Sequence, residues 1–277
     1  MSATIASRRP VRAGFTLIEL VVVLIIIATI AGFVIPQIGM ISRTSDMAAT
    51  AKTQSDLSSN IQLFFTLQKR YPQGFDSLLD TGGALYSADT TNADTQTRGL
   101  PYSGADGTLL QAQLTATNLT NATNAEYMRS FTRSGFDWVY DHDTAVINSN
   151  NSANTFRGLI ADANGTGNTA PTSINIAEVT GTALLAKLVP QGLQANRERI
   201  VAVGIGPKNS AISKTLTNSP TYPGADGKYY ARYIAYFKVY ATGERATLVG
   251  TSDSYGRTPD YSQQQFNESL PDGGRQG

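Results

Sequence analysis

The chain has 277 residues, 41% of them hydrophobic and 16% charged, with a formal net charge of +1. This length allows one sizeable domain plus accessory segments, and the near-neutral charge gives no global drive toward nucleic acid or an anionic membrane surface. With no cysteine, disulfides and thiolate metal sites are excluded.

In chain order, the first feature is a basic segment leading into an apolar run. Arg8, Arg9 and Arg12 precede Gly14 with no acid among them, and from Phe15 to Ile35 only Thr16, Glu19 and Thr29 are polar. These 21 residues make ~31 Å of helix, about one bilayer core. Helix suits the run because in lipid every backbone N–H and C=O must bond internally. The arginines predict that the N-terminus stays in the cytoplasm. Two features are unusual for a plain anchor. Glu19 is a carboxylate inside the apolar run, where ionisable side chains are expensive and usually functional, and Gly14 stands at the junction of the basic and apolar parts. A secretory signal peptide is a competing reading, but the run exceeds an h-region of roughly 7–15 residues and no small-x-small site cleanly ends it. A generic signal anchor is another, with Glu19 near the interface and favoured by the dipole of the helix's first turn.

At Arg12-Ala13-Gly14-Phe15-Thr16-Leu17-Ile18-Glu19-Leu20 the sequence resembles the type IV pilin and pseudopilin superfamily, whose basic leader ends in Gly followed by Phe-Thr-Leu-(Ile/Val)-Glu. The resemblance implies that a prepilin peptidase cuts after Gly14 and methylates the new amino terminus at Phe15. Glu19 is then the fifth mature residue, and Pro36 falls on a recurrent family proline, the twenty-second. Loss of residues 1–14 leaves 19 basic against 21 acidic residues, a mature charge of about −2 that still favours no anionic partner. Many type IVa pilins close a C-terminal loop with a disulfide; this chain cannot, which fits a pseudopilin better.

The helix is expected to continue past Ile35. Pro36 removes a backbone donor and would kink or loosen it, and Gly32 and Gly39 flank it as weak helix formers. The resemblance implies that this segment melts when subunits pack. From Ile38 to Tyr71 the pattern becomes amphipathic: Leu57, Ile61, Phe64, Phe65 and Leu67 recur near helical spacing, with Thr53, Ser55, Ser58, Ser59 and Gln62 mostly on other faces. One stripe should dock on a sheet. Tyr71-Pro72 is the predicted stop, giving a helix over 15–70 of ~84 Å.

Tyr71-Pro72-Gln73-Gly74-Phe75-Asp76-Ser77-Leu78-Leu79 is similar to the passage after the long helix in major pseudopilins of type II secretion. It reads as a turn and a brief helix from Asp76 to Leu79, ended by Gly82-Gly83. Residues 80–125, rich in Thr, Asn, Asp and Gly, read as a surface excursion with one short helix near Leu109–Leu114. The sequons beginning at Asn118, Asn121, Asn150, Asn164 and Asn267 are expected by chance in so Asn- and Thr-rich a chain.

Strands are predicted from Phe136. Asp137–Tyr140 and Thr144–Ile147 flank Asp141-His142-Asp143 as a hairpin. Phe156–Ile160 and Ile174–Val179 are further strands, Thr182–Leu188 a short helix, and Ile200–Ile205 a buried strand. Tyr229–Tyr240 is the strongest strand and turns at Thr242-Gly243-Glu244 into Ala246–Val249. The polar residues after Ser252 are expected to form a mobile tail.

Tyr102–Gly107 echoes Tyr222–Gly227, each with turn chemistry. The second copy, Gly224-Ala225-Asp226-Gly227, resembles the calcium-binding loop of major pseudopilins, which makes Asp226 a calcium candidate. The family's downstream acids and tryptophan are absent, so a plain turn is favoured and no cofactor is expected. Asp162 and Asn164 also offer oxygens, without EF-hand spacing. His142 is the only histidine, and no Gly-x-Ser-x-Gly, P-loop or Gly-x-Gly-x-x-Gly pattern accompanies it, so no enzyme is expected.

The expected fold is α+β: a long N-terminal helix packed on an antiparallel sheet. The expected partition is a leader at 1–14, a membrane half of the helix at 15–35, an amphipathic half at 36–70, a head at 71–252 and a tail at 253–277. The resemblance implies a single-pass protein of the inner membrane with its head outside the cytoplasm. It also implies the partners: prepilin peptidase, other pilin or pseudopilin subunits, the inner-membrane assembly machinery and the bilayer, with no nucleic acid. A secretion pseudopilin, a surface pilus subunit for adhesion or DNA uptake, and a membrane-anchored binding domain that never polymerises all remain open here.

Overall fold

The longest ladders of the sheet form where Val, Ile, Tyr and Phe are dense, in Glu198–Gly204 and Ile234–Tyr240. The computed structural model describes residues 17–79, 84–85, 100, 110–118, 124–140, 156–158, 175–221, 230 and 232–260; residues 33–44, 47, 140 and 156–158 are described by backbone alone. The chain divides into two compact units, 1–45 and 46–277. Helix α1, Leu17–Gln68, contributes to both. In the first unit the large apolar side chains of α1 are exposed, from Leu17 at 82% to Ile30 at 57%. Thr29 satisfies its hydroxyl within the helix by donating to the Ile26 carbonyl at 2.8 Å.

The second unit holds β1 (Phe75–Asp76), β2 (Leu114–Asn118), β3 (Trp138–Tyr140), β4 (Phe156–Gly158), β5 (Asn175–Val179), β6 (Glu198–Gly204), β7 (Ile234–Tyr240) and β8 (Thr247–Ser252), with helices α2 (Ala125–Arg133) and α3 (Thr182–Leu188). They form one sheet in the order β2-β5-β6-β1-β3-β4, with β7 also on β6 and β8 on β7. The β1–β3 pair is parallel and the other ladders are antiparallel. The fold is therefore α+β with an antiparallel-rich sheet. Alternation along β6 and β7 sends side chains to opposite faces. Val201, Val203, Phe237 and Val239 meet Leu57, Ile61 and Phe64 of α1 and Tyr127, Met128 and Phe131 of α2. Ile200, Ala202, Ile234 and Tyr236 meet Leu110, Leu114 and Leu184 of α3 on the other face.

α1 docks by a narrow seam. Thr50, Gln54, Leu57, Ile61 and Phe64 are buried, at steps of four, three, four and three, which keeps them on one face. Leu67 was expected on this stripe but is 64% exposed; the next seam position is Gln68, and Leu67 lies about 100° from it. Phe65 is half-buried and stacks on Tyr71 at 4.5 Å. The helix stops before Tyr71-Pro72, because Lys69 turns to φ 57 while its N–H still donates to the Phe65 carbonyl at 2.8 Å.

Several expectations change. The brief helix over Asp76–Leu79 is instead a two-residue strand, since Phe75 and Asp76 pair with Val139 and Tyr140, followed by a tight turn in which Leu78 takes φ 61. Near Leu109–Leu114 a single 3-10 turn, Leu110–Gln113, leads into a strand, and Leu100, Leu110 and Leu114 are buried rather than part of a surface excursion. α2 was not anticipated. Two of its serines are buried because they satisfy the β7–β8 connection: Ser130 Oγ accepts from Tyr240 N at 3.1 Å and Ser134 Oγ from Ala246 N at 2.6 Å. β3 pairs with β4 and β1 rather than in a hairpin with Thr144–Ile147; residues 141–155 lie outside the described set. The β7–β8 hairpin and the helix at Thr182–Leu188 stand as expected. Residues 253–258 are no loose tail, since Asp253, Ser254 and Thr258 are buried; residues 261–277 lie outside the described set.

Candidate functional site

Gly14 and Phe15 lie outside the described residues. Glu19 sits in the first turn of α1 and is exposed, where the positive end of the helix dipole favours a carboxylate. Pro36 is inside α1, a position at which its ring removes one i to i−4 bond. Side chains of the apolar run are described only from Leu17 to Gly32, short of the ~20 residues a bilayer span needs. Among the described residues no helix is long and apolar enough to cross a membrane.

The second unit holds α1 through a polar clasp as well as the apolar seam. Gln54 is fully buried; its side-chain Nε2 donates to the Arg257 carbonyl at 3.0 Å, and its backbone carbonyl accepts from Thr251 Oγ1 at 3.0 Å. Ser58 Oγ meets Thr251 Oγ1 at 3.1 Å. The turn that follows β8 is fixed by Asp253, whose carboxylate accepts from Tyr255 N at 2.9 Å, Arg257 N at 3.0 Å and Arg257 Nε at 2.8 Å. Burial pushes the Asp253 carboxyl up, and the guanidinium and backbone donors pull it partly back. Tyr236, beneath this turn, bonds Ser252 Oγ at 2.6 Å, and burial drives its phenol far above the usual range.

A second buried polar contact lies on the α3 face, where the Tyr230 hydroxyl donates to Asp76 Oδ2 at 2.6 Å. Burial, then the neighbouring carboxylate, raise the Tyr230 phenol. Gly204 and Gly206 leave the room: a Cβ at Gly204 would strike the Tyr230 hydroxyl, and one at Gly206 the Asp76 carboxylate. Asp226, Asp162, Asn164 and His142 lie outside the described residues. Among those described, no group of three or more His, Cys, Asp or Glu side chains is placed to hold a metal.

The structure thus brings together residues that periodicity alone did not join, Gln54 with Arg257 and Asp253, and leaves the cleavage residues undescribed. The sequence carries one signal for the clasp that the periodicity reading passed over, Gln54 at helical spacing from Leu57 and Ile61. Comparison with known proteins points back to the N-terminus, where residues 9–35 match the prokaryotic N-terminal methylation motif. No curated protein matches the chain, and no solved structure does. The matched span contains Gly14, Phe15 and Glu19. The chain carries the prepilin-type signal of a type IV pilin-like precursor.

Proposed function

We propose that this protein is a subunit of a type IV pilus-like filament, a pseudopilin of a type II secretion-like system. Prepilin peptidase cuts it between Gly14 and Phe15 and methylates Phe15, and it then polymerises through α1. The carrying observation is the methylation motif over residues 9–35. The docking of Leu57, Ile61 and Phe64 of α1 on the sheet of the head supports it. In this reading residues 15–35 cross the inner membrane, the leader faces the cytoplasm and the head lies outside. The absence of cysteine favours a pseudopilin over a disulfide-closed type IVa pilin. The role is mechanical, with no catalytic residue and no cofactor.

Glu19 is the assembly residue. A carboxylate inside an apolar membrane run is expensive and usually functional, and cleavage creates an amine at Phe15, one helical turn away. Within one chain that amine partly offsets Glu19; in a staggered filament a neighbour's Phe15 amine meets it instead. Glu19→Ala is expected to insert and be cleaved normally yet fail to polymerise or join a mixed filament, while the head keeps its fold. Crosslinking between subunits in intact cells, read beside cleavage on the same blot, tests this. Equal crosslinking in Glu19→Ala and wild type would make Glu19 a tolerated interfacial carboxylate.

A further inference from the structure

Two surfaces of the second unit have complementary chemistry. The first is a groove of about 210 Å³ between α1 and the loop after β6, lined by Thr53, Asp56, Asn60, Thr215, Thr217 and Asn218 among others, with no cation in its wall. Thr215 Oγ1 is buried there with no partner among the described residues. Of the nearby cations, Lys214 lies over the Phe64 ring at 5.4 Å, and Lys52 meets Asp56 at 3.5 Å with both side chains exposed, 78% and 58%. An exposed pair of that kind is weak and easily redirected.

The second surface lies where three chain reversals meet. Tyr71 N donates to the Ser134 carbonyl at 2.7 Å, Arg133 Nη1 to Gly243 O at 2.8 Å, and Arg245 Nη1 to Lys69 O at 3.4 Å. The end of α1, the end of α2 and the β7–β8 turn therefore present Lys69, Arg70, Arg129, Arg133 and Arg245 together, all exposed. Three acids share the area. Glu126 holds Arg129 at 3.1 Å, burial raises the Asp137 carboxyl while the Arg70 charge pulls it partly back, and Glu244 is exposed in the turn. Arg133 and Arg245 donate to neutral carbonyls, so positive charge remains in surplus. The carbonyl ends of α1 and α2 favour these cations, and Arg245 reaches the end of α1 from the β7–β8 turn by donating to Lys69 O.

An acceptor-lined groove and a donor-rich end on different parts of one chain are complementary between copies, and a head-to-tail contact between them extends into an open filament wherever its rotation does not close a ring. We propose that the basic end of one copy docks in the Asp56 groove of the next, with Arg133 and Arg245 donating to the carboxylate and to the amide and hydroxyl oxygens around it. The proposal rests on the filament reading and names its partner, a second copy of this chain. Lys69, the residue after the end of α1, lies 13 positions beyond Asp56, so the contact staggers neighbouring copies by ~20 Å along the helix.

Because the chain has no cysteine, introduced thiols report this contact alone. Thr217→Cys and Thr242→Cys place one thiol beside each surface at exposed positions and alter no charge. In cells carrying the full chain and its assembly machinery, mild oxidation of the double variant is expected to give a ladder of disulfide-linked multimers, and each single variant dimers at most. Adding Asp56→Arg sets like charges against each other and should weaken the ladder about tenfold, with leader cleavage unchanged. A double variant that is cleaved and recovered in filaments but gives no ladder overturns this contact and leaves the filament reading standing. A ladder that Asp56→Arg does not weaken, or a crosslinked partner that mass spectrometry identifies as another protein, also overturns it. Wild-type chain that is cleaved but never found in filaments overturns the filament reading itself.

Discussion

Replacing Arg257 by Met should destabilise the head far more than replacing its partner, Asp253→Asn. The two side chains are unequally buried: Asp253 is 1% exposed and Arg257 29%. Removing the guanidinium leaves a carboxylate sealed under the turn with only backbone N–H groups, and breaking a buried pair in this way costs about 3–5 kcal/mol. Asn at 253 keeps an acceptor for those N–H groups and lets the guanidinium turn to water, so its cost is about 1 kcal/mol. The pH dependence has a definite sign. Burial, the largest influence, places the folded Asp253 pKa above its ordinary 3.8. The folded head therefore binds this proton more tightly than the unfolded chain does. This group's contribution to stability rises as pH falls from neutrality through the folded pKa, and it levels off below the unfolded value of ~3.9. Arg257→Met pushes the folded pKa higher still, so its deficit should shrink on acidification. Thermal and urea unfolding of the 46–277 fragment at neutral and mildly acidic pH measures this; at neutral pH the loss corresponds to a Tm drop of roughly 6–20 °C. An Arg257→Met head within about 0.5 kcal/mol of wild type at neutral pH, or a deficit that grows on acidification, would refute the clasp.

Phe237 is the aromatic hub, with ring centroids 4.7 Å from Phe136, 4.9 Å from Tyr71 and 5.7 Å from Phe75; Phe237→Ala is expected to cost about 3–5 kcal/mol in urea unfolding, and a loss under 1 kcal/mol on the order of a surface change would contradict that packing. We expect chelator and added calcium to leave the melting temperature of the head unchanged in wild type and in Asp226→Ala. A calcium stabilisation of about 2.7 kcal/mol at 100 times the dissociation constant, lost in Asp226→Ala, would establish a cation site in that loop.

The most legible parts of the sequence were those governed by short-range periodicity. Thr182–Leu188 and the β7–β8 hairpin carry their own spacing and turn residues, and the seam Leu57–Ile61–Phe64 was visible at helical intervals. What failed depended on partners distant in sequence. Phe75–Asp76 is a strand only because Val139 and Tyr140 come alongside. Ser130 and Ser134 are buried only because Tyr240 and Ala246 need acceptors. Asp253 looked like the start of a polar tail because Gln54, which grips the turn that Asp253 and Arg257 close, lies 203 residues from Arg257 in sequence. The N-terminal segment was legible for the opposite reason, since its charge, glycine, phenylalanine and glutamate are all local.

The central claim is that the chain is a cleaved, methylated filament subunit, and the state of its amino terminus tests it most directly. Intact-mass and peptide mass spectrometry of protein from cells with an active prepilin peptidase should find Phe15 as the first residue, bearing one N-methyl group. Gly14→Val should retain the leader, because a side chain at that position blocks close approach of the peptidase to the bond. Recovery of the wild-type chain with residues 1–14 still attached in such cells would contradict the account.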